Sequence, residues 1–326
     1  MFQTIMARLG RLVATLFAVS VLTFLMTSLL PGDVIDIMLP PDAPRDEATI
    51  AEIREELGLD KKIYVRYFDW VTDAAQGELG KSYITDQPVA TTIKQRIPVT
   101  GQLALTAIVI ALFLAIPIGI LGAYRQSRLS DQVSSVGVQV ALSVPNFIAG
   151  IFLVWLFAVK AGWFPATGFT RLDINWSLSN FRVRDAWPNF KGIILPATAL
   201  ALTQMAIFSR LLRTDMIATL QQDFVTSARA KGLSDRYILF RHALRPSSLS
   251  LITIAGINLG ALLGGTVVIE TMFAIGGLGF RLINAIYARD ILVIQGITVF
   301  IATVYVVLNT AVDLLYLVID PRIRKG

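Results

Sequence analysis

Apolar residues gather in six long stretches, at residues 12–30, 101–123, 133–158, 193–212, 249–273 and 291–319. A helix needs about 20 apolar residues to cross a hydrocarbon layer roughly 30 Å thick, so each stretch is long enough to span a membrane. The third carries Gln139, Ser143, Pro145 and Asn146, and the fourth carries Pro196 and Gln204. Polar dilution of this kind suits helices that face a pore or another helix. The sixth exceeds one span and predicts a tilted helix or one that begins outside the bilayer. The first follows Arg8 and Arg11, as a secretion signal would. It is too long for a signal core, however, and leads into Leu29-Leu30-Pro31-Gly32 with no small-residue cleavage site, so a retained helix is expected.

Composition agrees with this pattern. Of 326 residues, 55% are hydrophobic and 16% charged, and the mean hydropathy is +0.65. The net charge of +6 is a matter of topology, with no nucleic-acid partner expected. Arg8, Arg11, Arg125, Arg128, Arg210, Arg213, Arg229, Lys231, Arg236, Arg241, Arg245, Arg322, Arg324 and Lys325 fall on or at the edges of alternate connections and at the two ends. Basic residues near span ends stay in the cytoplasm, so both termini are expected there. The connection 31–99 then lies outside, with 13 acidic and 8 basic residues. Within it, 46–57 reads as an amphipathic helix with Ile50, Ile53 and Leu57 on one face and Gly58 as its stop. Tyr64, Tyr67, Phe68, Trp70 and Val71 suggest a second helix. Three segments follow: a tail and first span over 1–30, an external segment over 31–99, and five spans over 100–326 with a cytoplasmic loop at 221–247.

That loop is the most unusual part of the chain. It reads Thr226-Ser227-Ala228-Arg229-Ala230-Lys231-Gly232-Leu233-Ser234-Asp235-Arg236, then Arg241-His242-Ala243-Leu244-Arg245-Pro246. Gly232 is placed to end one helix and Ser234 to cap the next. Charge that merely fixes orientation needs no helix–Gly–helix pattern, so a docking element is expected. His242, the single histidine, is expected to be part of that surface or a satisfied polar residue rather than a catalytic or metal-binding group. In the fifth span Gly256, Gly260 and Gly264 recur every fourth residue, a bare stripe for close helix packing, with Asn258 beside it. Tight packing inside the subunit, a seam with a second subunit and a sliding pore wall all fit this stripe. Glu270 lies near the outer end of that span, where an ionisable group is costly unless paired or wetted. A gate, or an ion pair with Arg281 or Arg289, would each account for it. Gly276-Gly277-Leu278-Gly279 is expected to form a turn.

The loop resembles the cytoplasmic motif of binding-protein-dependent ABC transporter permeases. That motif has an E-A-A triplet, a glycine after three more residues, and a terminal I-x-L-P block. Here Thr226-Ser227-Ala228 takes the triplet, Gly232 the glycine, and Pro246 comes one place late. The departures match the peptide/nickel branch, which Arg229-Ala230-Lys231-Gly232-Leu233-Ser234 and Arg241-His242-Ala243-Leu244-Arg245 resemble closely. Leu29-Leu30-Pro31-Gly32-Asp33, Leu57-Gly58-Leu59-Asp60, Ser143-Val144-Pro145-Asn146-Phe147, Gly162-Trp163-Phe164-Pro165 and Asp320-Pro321-Arg322 extend the likeness along nearly the whole chain. The long external segment is similar to that of the B-type subunit.

The resemblance implies an all-α membrane protein of six transmembrane helices in the inner membrane of a bacterium. It implies a C-type permease partner, two ATPase subunits that hold ATP and Mg, an external solute-binding protein, and a di- or oligopeptide cargo. Residues 226–234 and His242 would form the coupling helix. Ser143, Asn146, Gln204, Asn258 and Glu270 are the pore or gate candidates. Nickel and glutathione remain open as cargo within the branch. The chain has no phosphate-binding loop, no cysteine and no H-E-x-x-H or G-x-S-x-G motif, so neither ATP hydrolysis nor other catalysis is expected of it, and no bound cofactor or metal. A self-contained secondary transporter that uses Glu270 and Asp313 is the reading from another class; six spans are few for it.

Overall fold

In lipid every backbone N–H and C=O must find its partner within the protein, and a helix does this within one segment. The computed structural model describes residues 2–29, 50, 51, 54, 60–171, 173–177 and 180–319. Among these, five helices are long and apolar enough to cross a membrane, or six if one bent pair counts as a span. The expected helix 46–57 and the terminal Asp320-Pro321-Arg322 fall largely or wholly outside the described residues, as does most of Leu29-Leu30-Pro31-Gly32-Asp33.

The chain divides into two compact units, Met1–Pro98 with Gly276–Thr310 and Val99–Ile275 with Ala311–Gly326. In the first unit, α1 (Phe2–Ser28) satisfies its own hydroxyls: Thr15 Oγ1 donates to the Arg11 carbonyl at 2.8 Å and Ser28 Oγ to the Phe24 carbonyl at 2.7 Å. The expected aromatic helix is α2 (Ile63–Ala75). It packs on α1 through Tyr67, whose ring meets Phe24 edge-on at 5.4 Å and whose hydroxyl shares a 2.8 Å hydrogen bond with Ser20.

Asp290 organises the rest of this unit. It is fully buried, accepts from Ser82 Oγ at 2.5 Å and from the Tyr83 N–H at 3.3 Å, and pairs with Arg281 at 3.4 Å. Burial pushes the Tyr83 phenol above its ordinary value, with Arg66 pulling it down and Asp290 pushing it up. Removal of a buried acceptor leaves its donors without a partner. Asp290→Ala is expected to cost about 2–3 kcal/mol and to make 81–88 the first site of limited proteolysis. Wild-type protease resistance of 81–88 would refute this.

The second unit takes in most of α3 (Val89–Tyr124), whose N-terminal turns belong to the first. Ala104, Ala107, Ala111 and Ala115 lie along it without exposure, as do Ala197, Ala199 and Ala201 of α6 (Ala186–Leu220). Small residues let helix backbones approach where lipid supplies no hydrophobic drive. Larger side chains, Leu103, Leu200, Phe208 and Leu212 among them, fill the space around these contacts.

The third expected span is not a straight helix. α4 (Leu129–Ser143) and α5 (Asn146–Leu153), the latter extended by wider π-type turns over Val154–Lys160, meet at 104°. Pro145 is the cause: the residue before a proline is pushed to extended backbone, and Val144 sits at φ −90°, ψ 119°. A two-stranded antiparallel hairpin, β1 (Asp173–Ser177) and β2 (Asn180–Arg184), was not expected in an all-α chain. The fifth span also ends early. α9 (Leu244–Gly265) stops at Thr266 after two weak helix formers, Gly264 and Gly265, and the short α10 (Val267–Met272) follows. The expected turn at 276–279 is half helix, since α11 (Leu278–Tyr287) begins inside it. The last helix is α12 (Ile291–Ile319).

Candidate functional site

Between α6 and α9 the chain forms α7 (Asp223–Ala230), α8 (Asp235–Tyr237) and a π-type turn over Ile238–Ala243. The turn chemistry is the one read from the sequence. Gly232 takes φ +79°, its N–H bonds the Arg229 carbonyl, and the Leu233 N–H bonds the Ala228 carbonyl. The Tyr237 N–H reaches Ser234 Oγ at 3.4 Å as a helix cap.

Burial divides this segment into an anchor and a free face. Val225, Ala228 and Ile238 are buried together, with Leu220 of α6 against them. Thr226, Ser227, Arg229, Ala230, Lys231, Gly232, Leu233 and Ser234 are exposed. Phe224, Tyr237 and Phe240 are exposed aromatics on the same segment. Polar ties hold the anchor: Tyr124 OH donates to Asp235 Oδ2 at 3.1 Å, and the Thr219 and Ser247 hydroxyls share a bond of 3.1 Å. His242 is half-buried, its ring edge-on to Tyr237 at 5.5 Å, and its Nε2 has no hydrogen-bond partner among the described residues. The result is a knob buried on its apolar side and exposed on its polar side.

The pore or gate candidates do not form one cluster. Asn146 Oδ1 accepts from Thr203 Oγ1 at 2.6 Å, which ties the start of α5 to α6 at the bend. Gln204 follows Thr203, and its Oε1 is buried without a partner among the described residues. Ser143 is exposed, and among the described residues its hydroxyl bonds only the carbonyl of Gln139, at 2.9 Å. Asn258 is half-buried on α9. Glu270 is fully buried and accepts from Thr100 Oγ1 at 2.7 Å and Thr266 Oγ1 at 3.1 Å. Arg281, one of the two arginines considered for it, pairs with Asp290. Asp313 is exposed on α12.

The glycine stripe splits as well. Gly256 faces Val312, whose Cγ2 would lie 2.8 Å from an added Cβ; Gly260 is buried and Gly264 exposed. Sequence reasoning missed two polar links. Gln102 and Asn189 exchange amide hydrogen bonds at 2.6 and 3.3 Å. Asp131 holds Arg213 in a two-bond fork, both at 2.7 Å. Both pairs join residues more than 80 positions apart, and nothing in the sequence marks either pair. Among the described residues no three His, Cys, Asp or Glu gather as metal ligands.

The family model for binding-protein-dependent transport system inner membrane components matches residues 115–325, and the model for the N-terminal component matches 1–106. The chain belongs to this permease family. A putative peptide transport system permease protein of Brucella abortus (strain 2308) is 38% identical over 328 residues, 99% of each chain. A probable peptide ABC transporter permease protein of Sinorhizobium fredii is 34% identical over 98% of each. The glutathione transport system permease protein GsiC of Shigella flexneri serotype 5b is 33% identical over 99% of each. An inward-facing methionine ABC transporter, MetNI, shares the fold at a TM-score of 0.55 with 14% identity, covering 70% of this permease and 96% of that chain.

In a permease of this architecture Glu270 has a structural test. Glu270→Gln keeps an acceptor for Thr100 and Thr266. Glu270→Leu leaves both buried hydroxyls without it, at a cost of about 2–3 kcal/mol. Thermal unfolding in detergent is expected to separate the two variants by several degrees, with Glu270→Gln near wild type. Equal melting of both would refute the hydrogen-bonding role.

Proposed function

We propose that this permease is one of two membrane subunits of an ATP-driven importer of di- or oligopeptides. The observation that carries the reading is the exposed helix–Gly–helix knob at 223–243, anchored by its apolar side and bare on its polar side. In this reading both termini and the knob are cytoplasmic, and an external solute-binding protein delivers cargo. A C-type permease completes the pore, and two ATPase subunits bind ATP and Mg. The knob sits in a groove of one ATPase. Closure of the ATPases moves it, which biases the pore between inward- and outward-facing states through contacts that differ between them. The exposed residues of 226–234, with His242, make the contact, while Ala228 is buried in the anchor and supports them from behind; Ser143, Asn146, Gln204, Asn258 and Glu270 lie on or near the path. The peptide names of the relatives support the cargo class.

The test is transport by the full complex in proteoliposomes. Peptide uptake is expected only with ATP inside the ATPase compartment and peptide-loaded binding protein outside. Competition by dipeptide, tetrapeptide, glutathione and nickel then ranks the cargo. Uptake by the isolated chain without ATP would overturn the reading in favour of a secondary transporter.

A further inference from the structure

A cavity of about 240 Å³ opens between α3, α4 and α6, lined by Ile118, Ser135, Gln139, Ser209, Arg210 and Arg213 among others. Its two arginines differ. Arg213 is held by Asp131 in a fork of two 2.7 Å bonds, so its charge is matched and its position fixed. Arg210, one turn earlier on α6, is exposed, and among the described residues its guanidinium makes no hydrogen bond or ion pair. The Asp131 carboxylate is already committed to Arg213 and to the Ser127 N–H at 2.9 Å, so it does not also neutralise Arg210. The cavity therefore carries a net positive charge beside hydroxyl and amide groups, with Ile118 as an apolar wall.

Resting on the proposed peptide-import reading, we infer that this cavity is a transient carboxylate subsite, in which Arg210 receives the C-terminal carboxylate of a passing peptide. A planar guanidinium matches a carboxylate in a fork of two charge-assisted hydrogen bonds. A volume of about 240 Å³ is below that of pockets that enclose drug-sized ligands, and suits one terminal residue rather than a whole peptide. The free carboxylate is the group that peptides of any sequence share, so a subsite for it leaves side-chain selection to the binding protein. Arg210 carries the charge, and the Gln139 amide adds a neutral donor; the Ser209 hydroxyl already donates to the Ala206 carbonyl and Ser135 is a hydrogen-bond partner of Asp131, so both serve as polar lining.

The experiment compares wild type, Arg210→Gln, Arg210→Lys and Gln139→Trp in the assembled complex. Each is reconstituted with saturating peptide-loaded binding protein, and peptide uptake is measured per ATP hydrolysed. Arg210→Gln is expected to keep the ATPase stimulation by loaded binding protein and to lose about tenfold in uptake per ATP, which corresponds to about 1.4 kcal/mol. Arg210→Lys retains part of the uptake, since it keeps the charge without the fork. Gln139→Trp, which fills the cavity and leaves the charge in place, is expected to lose uptake similarly. Vesicles of wholly zwitterionic lipid are run beside vesicles containing anionic lipid, and the defect is expected in both. A defect confined to anionic vesicles assigns the cavity to a lipid phosphate and overturns the peptide subsite. Wild-type uptake per ATP in Arg210→Gln overturns it too, with the importer reading intact. No ATP-dependent uptake by wild type removes that reading and the subsite together.

Discussion

Gly232→Trp is expected to leave the protein inserted and assembled while peptide uptake falls at least tenfold and substrate-stimulated ATPase activity is lost. Two physical effects meet at this position. The backbone at Gly232 is left-handed, with φ +79°, and a residue with a Cβ pays roughly 1–2 kcal/mol there. An added Cβ meets nothing within 4 Å, so the obstacle is backbone strain and not space. An indole at this point stands out from the exposed face between α7 and α8, where the proposed ATPase groove closes. Gly232→Ala separates the two effects, because it carries the strain without the bulk. It is expected to transport at a reduced rate with coupling preserved. Purification of the intact complex and measurement of ATPase activity with and without loaded binding protein check both variants. Normal stimulation and uptake in Gly232→Trp would sink the coupling role of the knob.

The parts of this molecule that its sequence predicts are those fixed by local chemistry. Gly232 and Ser234 stop and cap helices through their own backbone and side chain, so their roles appear in eleven residues of text. The aromatic run 64–71 predicts α2 because one face of a short helix must be covered, and α1 covers it. The apolar stretches predict helices because lipid leaves the backbone no alternative. Boundaries were another matter. Val144-Pro145 carries its own breaking rule, yet an apolar stretch on either side reads as one span when hydropathy alone is weighed. The hairpin carries an alternation of Ile174 and Trp176, then Phe181 and Val183, but so short a period-two signal between long helical stretches is weak.

The polar links of the second unit are illegible for a deeper reason. Asp131 looks like one stray acid in a basic connection, and Arg213 like one of many positive-inside charges. Only folding brings them together, and a single sequence contains no term for a contact between positions so far apart. The same holds for Thr100 and Glu270. Glu270 is conspicuous by its cost in an apolar span, while its partner Thr100 is an ordinary residue near the start of another. The alanine stripe of α3 is a pattern at positions 104, 107, 111 and 115, but hydropathy does not set it apart from the apolar residues around it.

Asp131→Ala is expected to destabilise the second unit markedly. The Asp131 side chain is 5% exposed and accepts two hydrogen bonds from Arg213 and one from the Ser127 N–H, with Ser135 a further partner. Its removal strands a guanidinium that is 31% exposed, and it frees a turn in which Ser127 holds φ +67°. Breaking a buried pair by deleting one member costs about 3–5 kcal/mol; partial hydration of Arg213 brings the expectation to about 2–3 kcal/mol. A lowering of the melting temperature by several degrees in detergent is expected. Replacement of both partners, Asp131→Leu with Arg213→Leu, is expected to recover much of the loss, since it leaves no buried charge uncompensated. Arg213→Lys is expected to fall between, because an ammonium keeps the charge and loses the planar fork. The order single deletion, lysine variant, double leucine variant, from least to most stable, distinguishes a charge-pairing role from simple packing. Packing alone would make the double variant the least stable of the three.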